Sequence, residues 1–374
     1  MTRAGSAGAR RSRAGSPTAR RSSRGPPARR PSSPRTPRGP RASRTSGRAA
    51  SGDDVLPHIT TRNTARDLDV LRAVLGERKL SYFGYSYGTA LGAVYTQLFP
   101  GRVDRFVLDS ADDPAKLWRE MVRIWAPEAE RAFARWTKWT AAHDSTYQLG
   151  GSPEQVGRAF WKLVEDADRE PVVVGDAKLD GAAVRNLMRR KFYAVRGGAE
   201  TFVTLRKAAA GETVPGFPSS PPPDNVFAGQ FAVVCADADW PRDPGTYYRD
   251  GLADTARYPL YGDFVSTINP CAFWPAGAEP ATRVDNHVPA LIVQNEWDSQ
   301  TPLAAAQGMR RALKGSRMVT VADGEGHGVL FGGARDACAE RAAVGYLVSG
   351  ELPATDVTCQ AAPAKPGRAA PKSS

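Results

Sequence analysis

The chain has 374 residues, 41% of them hydrophobic, which is enough for one large domain or two small ones. No apolar run approaches the roughly 18 residues that a membrane-spanning helix needs, so we expect no membrane span. The net charge of +12 is typical of nucleic-acid-binding proteins, but residues 1–50 hold 14 arginines and no acidic residue, while the other 37 basic residues are balanced by 39 acidic ones.

Residues 1–52 form a segment rich in arginine, serine and proline, without the large apolar side chains that a core requires, and we expect it to be disordered. It has no apolar stretch of the kind found in a secretory signal peptide. One interpretation is a basic arm for nucleic acid, but nucleic acid is not the partner we expect. We favour a mis-called or frameshifted start, because GC-rich DNA encodes this composition in a wrong frame.

Residues 53–111 are expected to form the first part of an α/β core. Helices and strands alternate there with short connections, which indicates a parallel sheet. The predicted elements are a helix from Thr61 to about Leu75 with Leu68, Leu71, Val74 and Leu75 on one face, a strand from Leu80 to Phe83, a helix from Ala90 to Leu98, and a strand from Val103 to Leu108.

The first strand leads into Gly84-Tyr85-Ser86-Tyr87-Gly88, a G-x-S-x-G motif. Between a strand and a helix, this motif is typical of the sharp turn that presents a nucleophilic serine. We therefore predict Ser86 as a nucleophile and the backbone N–H of Tyr87 as a donor to an oxyanion. The alternative is an ordinary Gly/Ser turn.

Residues 112–285 are predicted to form a mainly helical cap inserted between strands of the sheet. Large side chains recur at helical spacing, at Trp118, Val122, Trp125, Phe133 and Trp136. We interpret this stripe as core; the alternative is that its tryptophans line a pocket between cap and sheet. Further helices are predicted near Pro153–Asp168, Ala182–Tyr193 and Glu200–Ala210, followed by a proline-rich loop over residues 211–225.

Residues 286–360 return to the α/β pattern and are predicted to complete the core, and residues 361–374 to form a disordered tail. The predicted elements are a strand from Ala290 to Gln294, a helix that starts with Pro302 at its first position and ends near Leu313, a strand from Met318 to Val321, a loop from Ala322 to Gly328, and a helix from about Ala334 to Leu347 that ends at Gly350.

Three candidate catalytic residues follow three predicted strands, in the chain order Ser86, Asp298, His327. This order is the one found in the catalytic triads of α/β-hydrolases. Loops at the carboxyl ends of parallel strands meet at one site, so we predict a nucleophile, an acid and a base there. The weighed alternatives are Asp109, Glu296 and Asp323 for the acid, and the remaining histidines His58, His143 and His287 for the base.

The chain has four cysteines, at Cys235, Cys271, Cys338 and Cys359, and no CxxC pair. Their spacing fits no zinc site, so we expect neither a metal nor a cofactor. An even number suits two disulfides in an exported enzyme; the alternative is four buried thiols in a cytosolic protein.

The sequence over residues 83–100 and 102–109, FGYSYGTALGAVYTQLFP and RVDRFVLD, resembles the tripeptidyl-aminopeptidase-like α/β-hydrolases of actinobacteria, peptidase family S33. Similar motifs lie near the C-terminus, around Trp297-Asp298, Gly326-His327-Gly328 and Cys338. The resemblance covers about residues 55–360. It implies an α/β-hydrolase fold with a helical cap, the disulfide pairs Cys235–Cys271 and Cys338–Cys359, and an extracellular or cell-envelope exopeptidase that releases short peptides from N-termini.

The sequence departs from this family before the nucleophile. Members place several strands and a glycine-rich loop with a second oxyanion donor there, and this chain has about thirty foldable residues and no such loop. We therefore expect the N-terminal strands of the sheet to be missing. The leading hypothesis is a serine peptidase acting on peptides. The alternatives are a truncated remnant with little or no activity, an esterase or amidase with the same triad, and a basic-armed binding protein.

Overall fold

A sheet of five parallel strands forms the centre of the structure. The structure is a computed structural model that describes residues 54–217, 223–330 and 336–362. Short apolar runs form the inner strands, as expected for a sheet covered on both faces. The strands are β1 (Leu80–Tyr85), β2 (Val103–Asp109), β5 (Leu291–Trp297), β6 (Arg317–Glu325) and β7 (Val357–Gln360), and they lie side by side in that order. The predicted parallel sheet and α/β-hydrolase fold are confirmed.

Helix α1 (Thr61–Val74) precedes β1, and α2 (Tyr87–Leu98) connects β1 to β2. Thr60 caps α1 by accepting from the Asn63 N–H, and the helix ends before Gly76. The predicted apolar face of α1 is only partly buried. Leu68 packs on the core, whereas Leu71, Val74 and Leu75 are more than half exposed. The helix packs on α2, and it is Ala65 that is fully buried in this core.

The chain between β2 and β5 is mainly helical. Its helices are α3 (Arg119–Arg123), α4 (Trp125–Ala142), α5 (Asp144–Tyr147), α6 (Pro153–Arg169), α7 (Gly181–Lys191), α8 (Val195–Ala209), α9 (Asp224–Ala236), α10 (Pro244–Arg257) and α11 (Gly262–Val265). A hairpin of β3 (Val172–Val174) and β4 (Ala177–Leu179) follows α6. Sequence periodicity did not predict this hairpin, α9 or α10. Within the predicted loop 211–225, residues 218–222 lie outside the described residues.

Aromatic side chains fill the core of this helical insertion, as the aromatic stripe indicated. Trp136 is fully buried and lies within 7 Å of Phe133, Phe160, Phe192 and Phe202, measured between ring centroids. Trp118 belongs to a second cluster, which also contains Cys235 and Cys271.

The last part of the core contains α12 (Leu303–Ala312) and α13 (Ala337–Ser349). Pro302 is the N-cap of α12 rather than its first residue. Gly350, at φ +79°, ends α13. The predicted loop from Ala322 is wrong over its first half, because β6 continues to Glu325. Residues 1–52, for which we predicted disorder, lie outside the described residues, as do residues 363–374 of the predicted disordered tail 361–374.

Two disulfides fasten elements that are distant in sequence, and the pairing implied by the family resemblance is confirmed. Cys235 at the end of α9 is joined to Cys271, and Cys338 in α13 to Cys359 in β7. No helix among the described residues is both long and apolar enough to cross a membrane.

Candidate active site

Ser86 lies in the turn between β1 and α2, with φ +55° and ψ −124°. A positive φ is uncommon for a residue other than glycine and persists only when the surroundings hold it. The Ser86 N–H donates to the Asp109 carbonyl (3.0 Å), and the Ser86 carbonyl accepts from Thr89 Oγ1 (2.7 Å). Glycine is required at Gly84, because a Cβ there would lie 2.6 Å from the Gly88 carbonyl oxygen.

The backbone N–H of Tyr87 is the first amide of α2. Amides in the first turn of a helix have no acceptor within the helix, and they lie at the positive end of its dipole. An oxyanion formed at Ser86 would therefore meet a free donor and a favourable field. The Tyr87 side chain points elsewhere, since its hydroxyl is hydrogen-bonded to Thr61 Oγ1 at 2.9 Å.

Asp298 follows β5 and is fully buried. Its carboxylate accepts from the Gln300 N–H (2.8 Å), the Thr301 N–H (3.1 Å) and Thr301 Oγ1 (3.0 Å). The loop thus folds around the carboxylate and orients it. The sequence analysis did not identify Thr301 as a partner of Asp298. Its hydroxyl side chain, three positions after the candidate acid, could have indicated this role.

His327 contacts Asp298 directly. Its Nδ1 lies 3.0 Å and 2.9 Å from the two carboxylate oxygens. The ring packs against Tyr85, the residue before Ser86, with 4.7 Å between ring centroids. Because Asp298 occupies Nδ1, Nε2 is the nitrogen that remains for Ser86. The flanking glycines Gly326 (φ +100°) and Gly328 (φ +89°) adopt backbone conformations that glycine reaches at little cost.

Asp109, the weighed alternative acid, has a different set of partners. Its buried carboxylate accepts from the N–H groups of Val329 (2.9 and 3.1 Å) and Leu330 (2.9 Å) and from Ser110 Oγ (3.2 Å). Burial raises the pKa of this carboxyl, and the backbone hydrogen bonds oppose the rise. Asp109 therefore anchors the segment that follows His327.

The other weighed residues lie apart from this arrangement. His143 stacks on Trp139, with its Nδ1 2.7 Å from the Trp139 carbonyl oxygen. His58 is in a short 3-10 helix before α1, and His287 is in the loop before β5. Glu296 accepts from the N–H of Asp323 at 2.8 Å, so both of these alternative acids are part of one exposed contact between β5 and β6.

Asp112 is a buried carboxyl that sequence reasoning missed. It is 5% exposed, and its N–H donates to Thr89 Oγ1, which in turn donates to the Ser86 carbonyl. Burial raises the pKa of Asp112 to about 7; nearby His327 opposes the rise and nearby Asp298 adds to it. Its position in the sequence, as a second carboxylate three residues beyond the end of a central strand, could have indicated that it lies near the site.

Replacing Asp112 with asparagine should raise the melting temperature more at about pH 8 than at about pH 4.5. The pKa of this carboxyl is about 7 in the folded chain, against the ordinary value of 3.8 that applies to the unfolded chain. Between pH 3.8 and pH 7, folding is therefore accompanied by the uptake of a proton. The free energy of unfolding therefore falls as pH rises through this range. Asparagine does not ionise, so the variant does not have this loss of stability at high pH. Thermal unfolding at both pH values measures the difference; an equal change at both would contradict it.

One group of possible metal ligands occurs among the described residues, at Asp336, Cys338 and Cys359. The two sulfurs are joined in a disulfide and are unavailable to a metal. The candidate catalytic residues are not part of any such group of possible metal ligands among the described residues.

Comparison with known proteins gives two family matches. Residues 28–146 match the α/β hydrolase fold family, and residues 258–359 match the family described as TAP-like protein. The chain is 36% identical over 324 residues to a tripeptidyl aminopeptidase of Streptomyces lividans, covering 82% of this chain and 59% of that protein. It is 29% identical over 337 residues to serine protease Hip1 of Mycobacterium tuberculosis, covering 82% and 63%.

A shorter match joins the chain to carboxylesterase B of Mycobacterium tuberculosis, at 30% identity over 138 residues, covering 34% of this chain and 25% of that protein. The chain spans about three fifths of the length of the Streptomyces relative.

Proposed function

The chain belongs to the tripeptidyl-aminopeptidase-like α/β-hydrolases, and we propose that it is a serine hydrolase that releases short peptides from the N-termini of peptide substrates. The observation that carries the proposal is the contact of His327 Nδ1 with Asp298, at 2.9 Å, beside the turn that holds Ser86. The names of the two long relatives, an aminopeptidase and a serine protease, support a peptide substrate.

In the proposed reaction, Ser86 Oγ attacks the carbonyl carbon of the scissile bond while His327 Nε2 takes its proton. The imidazolium then gives that proton to the leaving amine, and the acyl group stays on Ser86 as an ester. Water, deprotonated by the same nitrogen, hydrolyses the ester and restores the serine. Asp298 keeps the proton on Nδ1 and stabilises the imidazolium in both steps.

The tetrahedral intermediate places a negative charge on the former carbonyl oxygen. The proposed donor is the Tyr87 N–H, which needs no rearrangement because the Ser86 backbone already sits in the strained conformation of the turn. The full burial of Asp298 strengthens its electrostatic contact with His327.

We further propose an extracellular or cell-envelope location. All four cysteines are in disulfides, and such bonds persist mainly in oxidising compartments.

The test is a panel of arylamides offered to the purified chain: tripeptidyl, dipeptidyl and aminoacyl arylamides with free N-termini, the N-acetylated tripeptidyl compound, and an aryl ester. The proposal expects cleavage of a free-N-terminal peptidyl arylamide and little cleavage of its acetylated form. Cleavage of the ester alone would support the esterase alternative, for which the match to carboxylesterase B is the favouring observation. A folded chain that cleaves nothing would contradict the proposal and support the inactive remnant.

A further inference from the structure

The helical insertion holds the loop that carries Asp298. Trp125 Nε1 in α4 donates to the Gln300 carbonyl (2.6 Å), and Arg189 Nη1 in α7 donates to the Ser299 carbonyl (2.8 Å). Arg189 is 1% exposed, and its guanidinium carbon lies 4.7 Å from the ring centroids of both Trp125 and Tyr261. The carbonyls of this loop therefore point to the insertion, which leaves its N–H groups for the Asp298 carboxylate.

A third side chain of the insertion contacts the loops of both the proposed acid and the proposed base. The guanidinium carbon of Arg135, in α4, lies 4.5 Å from the ring centroid of Trp297, the residue before Asp298. The same guanidinium forms an ion pair with Glu325, two residues before His327, with Nη1 2.8 Å from Oε1. Glu325 Oε1 also accepts from the Val195 N–H at 3.3 Å.

Trp297 and Glu325 face each other in the last register pair of β5 and β6. The register of these strands shifts between Asn295 and Trp297. Such an irregularity redirects the side chains that follow and weakens the pairing there. Arg135 therefore joins the two strands at their last register pair, directly before Asp298 and close to His327.

We propose that Arg135 is a positioning residue that sets the geometry of the Asp298–His327 pair by joining the ends of β5 and β6. This proposal rests on the proposed function. Arg135 acts through Trp297 and Glu325, because the planar guanidinium stacks on the indole while its N–H groups pair with the carboxylate. A displacement of about 1 Å at a reacting group costs about 100-fold in rate, so losing this contact should be visible in catalysis.

The test compares Arg135→Ala, Arg135→Lys and Glu325→Gln with wild type on the best substrate of the arylamide panel. We expect Arg135→Ala to lower kcat about 10- to 100-fold while KM changes less than about threefold. Arg135→Lys keeps a charge for Glu325 and should recover part of the loss. Combining Arg135→Ala with Glu325→Gln should lower kcat little further, because both changes act on the same contact.

Arg185→Ala is the matched control. Arg185 lies in α7 of the same insertion, is similarly buried (17% exposed against 22% for Arg135), and forms an ion pair with Asp263 at 2.6 Å that touches neither candidate loop. It should change the melting temperature as much as Arg135→Ala does and leave kcat unchanged. Equal kcat in wild type, Arg135→Ala and Glu325→Gln would overturn the proposal.

A second readout is independent of turnover. In the Ser86→Ala background, the low-field proton NMR signal of the His327 Nδ1–H bonded to Asp298 reports the pair itself. The proposal expects this signal to weaken or broaden in Arg135→Ala and Glu325→Gln and to persist in Arg185→Ala. An unchanged signal in a folded variant would overturn the positioning role even if the chain cleaves no peptide, whereas a changed signal without turnover would contradict only the proposed function. If Arg135→Ala does not fold, Arg135→Lys and Glu325→Gln decide the question together, because lysine loses the planar stacking on Trp297 and glutamine loses the charge that pairs with Arg135.

Discussion

Replacing Ser86 with alanine is expected to lower kcat for peptidyl arylamides by about a million-fold, the loss typical of removing a triad nucleophile. The alanine variant has no atom that can form the acyl-enzyme, so only the oxyanion donor and substrate binding remain. KM should change little, since the hydroxyl contributes mainly to the transition state. Steady-state kinetics with a highly purified variant measures both constants.

Ser81→Ala is the control for Ser86→Ala. Ser81 lies in β1, the strand that leads to Ser86, and its hydroxyl donates to Asp104 at 3.0 Å on an exposed part of the sheet. This variant should keep wild-type kcat. If Ser86→Ala keeps more than about a hundredth of wild-type kcat, a loss far smaller than nucleophile removal causes, Ser86 is not the nucleophile.

Replacing Asp298 with asparagine should lower kcat about 10,000-fold, as expected when the base loses the group that sets its tautomer. The amide nitrogen of asparagine would face His327 Nδ1 or the N–H groups of Gln300 and Thr301, which all require an acceptor. The proton of the imidazole would then sit on Nε2, the nitrogen needed by Ser86. The kcat of this variant across the pH range measures the effect.

Asp109→Asn distinguishes the two candidate acids. Asp109 accepts from the N–H groups of Val329 and Leu330, so its replacement should cost stability, about 1–3 kcal/mol for a buried donor left unpaired. The loss of kcat should be far smaller than for Asp298→Asn. The reverse order of kcat losses would contradict the assignment of Asp298 as the acid.

The three candidate catalytic residues could be predicted from the sequence because each follows a recognisable strand. The G-x-S-x-G motif predicts a turn whose geometry depends on residues close in sequence, and the structure has that turn at Ser86. Asp298 and His327 could be predicted from their positions after apolar runs, since parallel strands deliver their carboxyl ends to one edge.

The contacts that orient these residues could not be predicted in this way. Arg135 contacts Glu325 across 190 positions of sequence, and the pattern of α4 indicates only that one helical face is buried. Asp112 gains its raised pKa from burial, which no local sequence pattern indicates. These properties arise from the packing of the insertion on the sheet, and a local pattern contains no information about that packing.

Helix α1 is a second case in which the sequence pattern did not predict burial: residues predicted to be buried are exposed, and a charged residue is buried. Its apolar residues have helical spacing, but Leu71, Val74 and Leu75 are more than half exposed, while Asp69 is 8% exposed and paired with Arg72 and Arg102. The partner of a helix face determines which residues are buried, and the spacing alone predicts only that a face exists.

The most direct test of the proposed triad is covalent labelling of the purified 374-residue chain with a fluorophosphonate probe, which reacts with an activated serine. The modified residue is located by mass spectrometry, with Ser86→Ala as the control and circular dichroism to establish that both proteins are folded. We expect a single label on Ser86 that disappears in the variant. A folded chain that is not labelled, or a label that persists in Ser86→Ala, would contradict it.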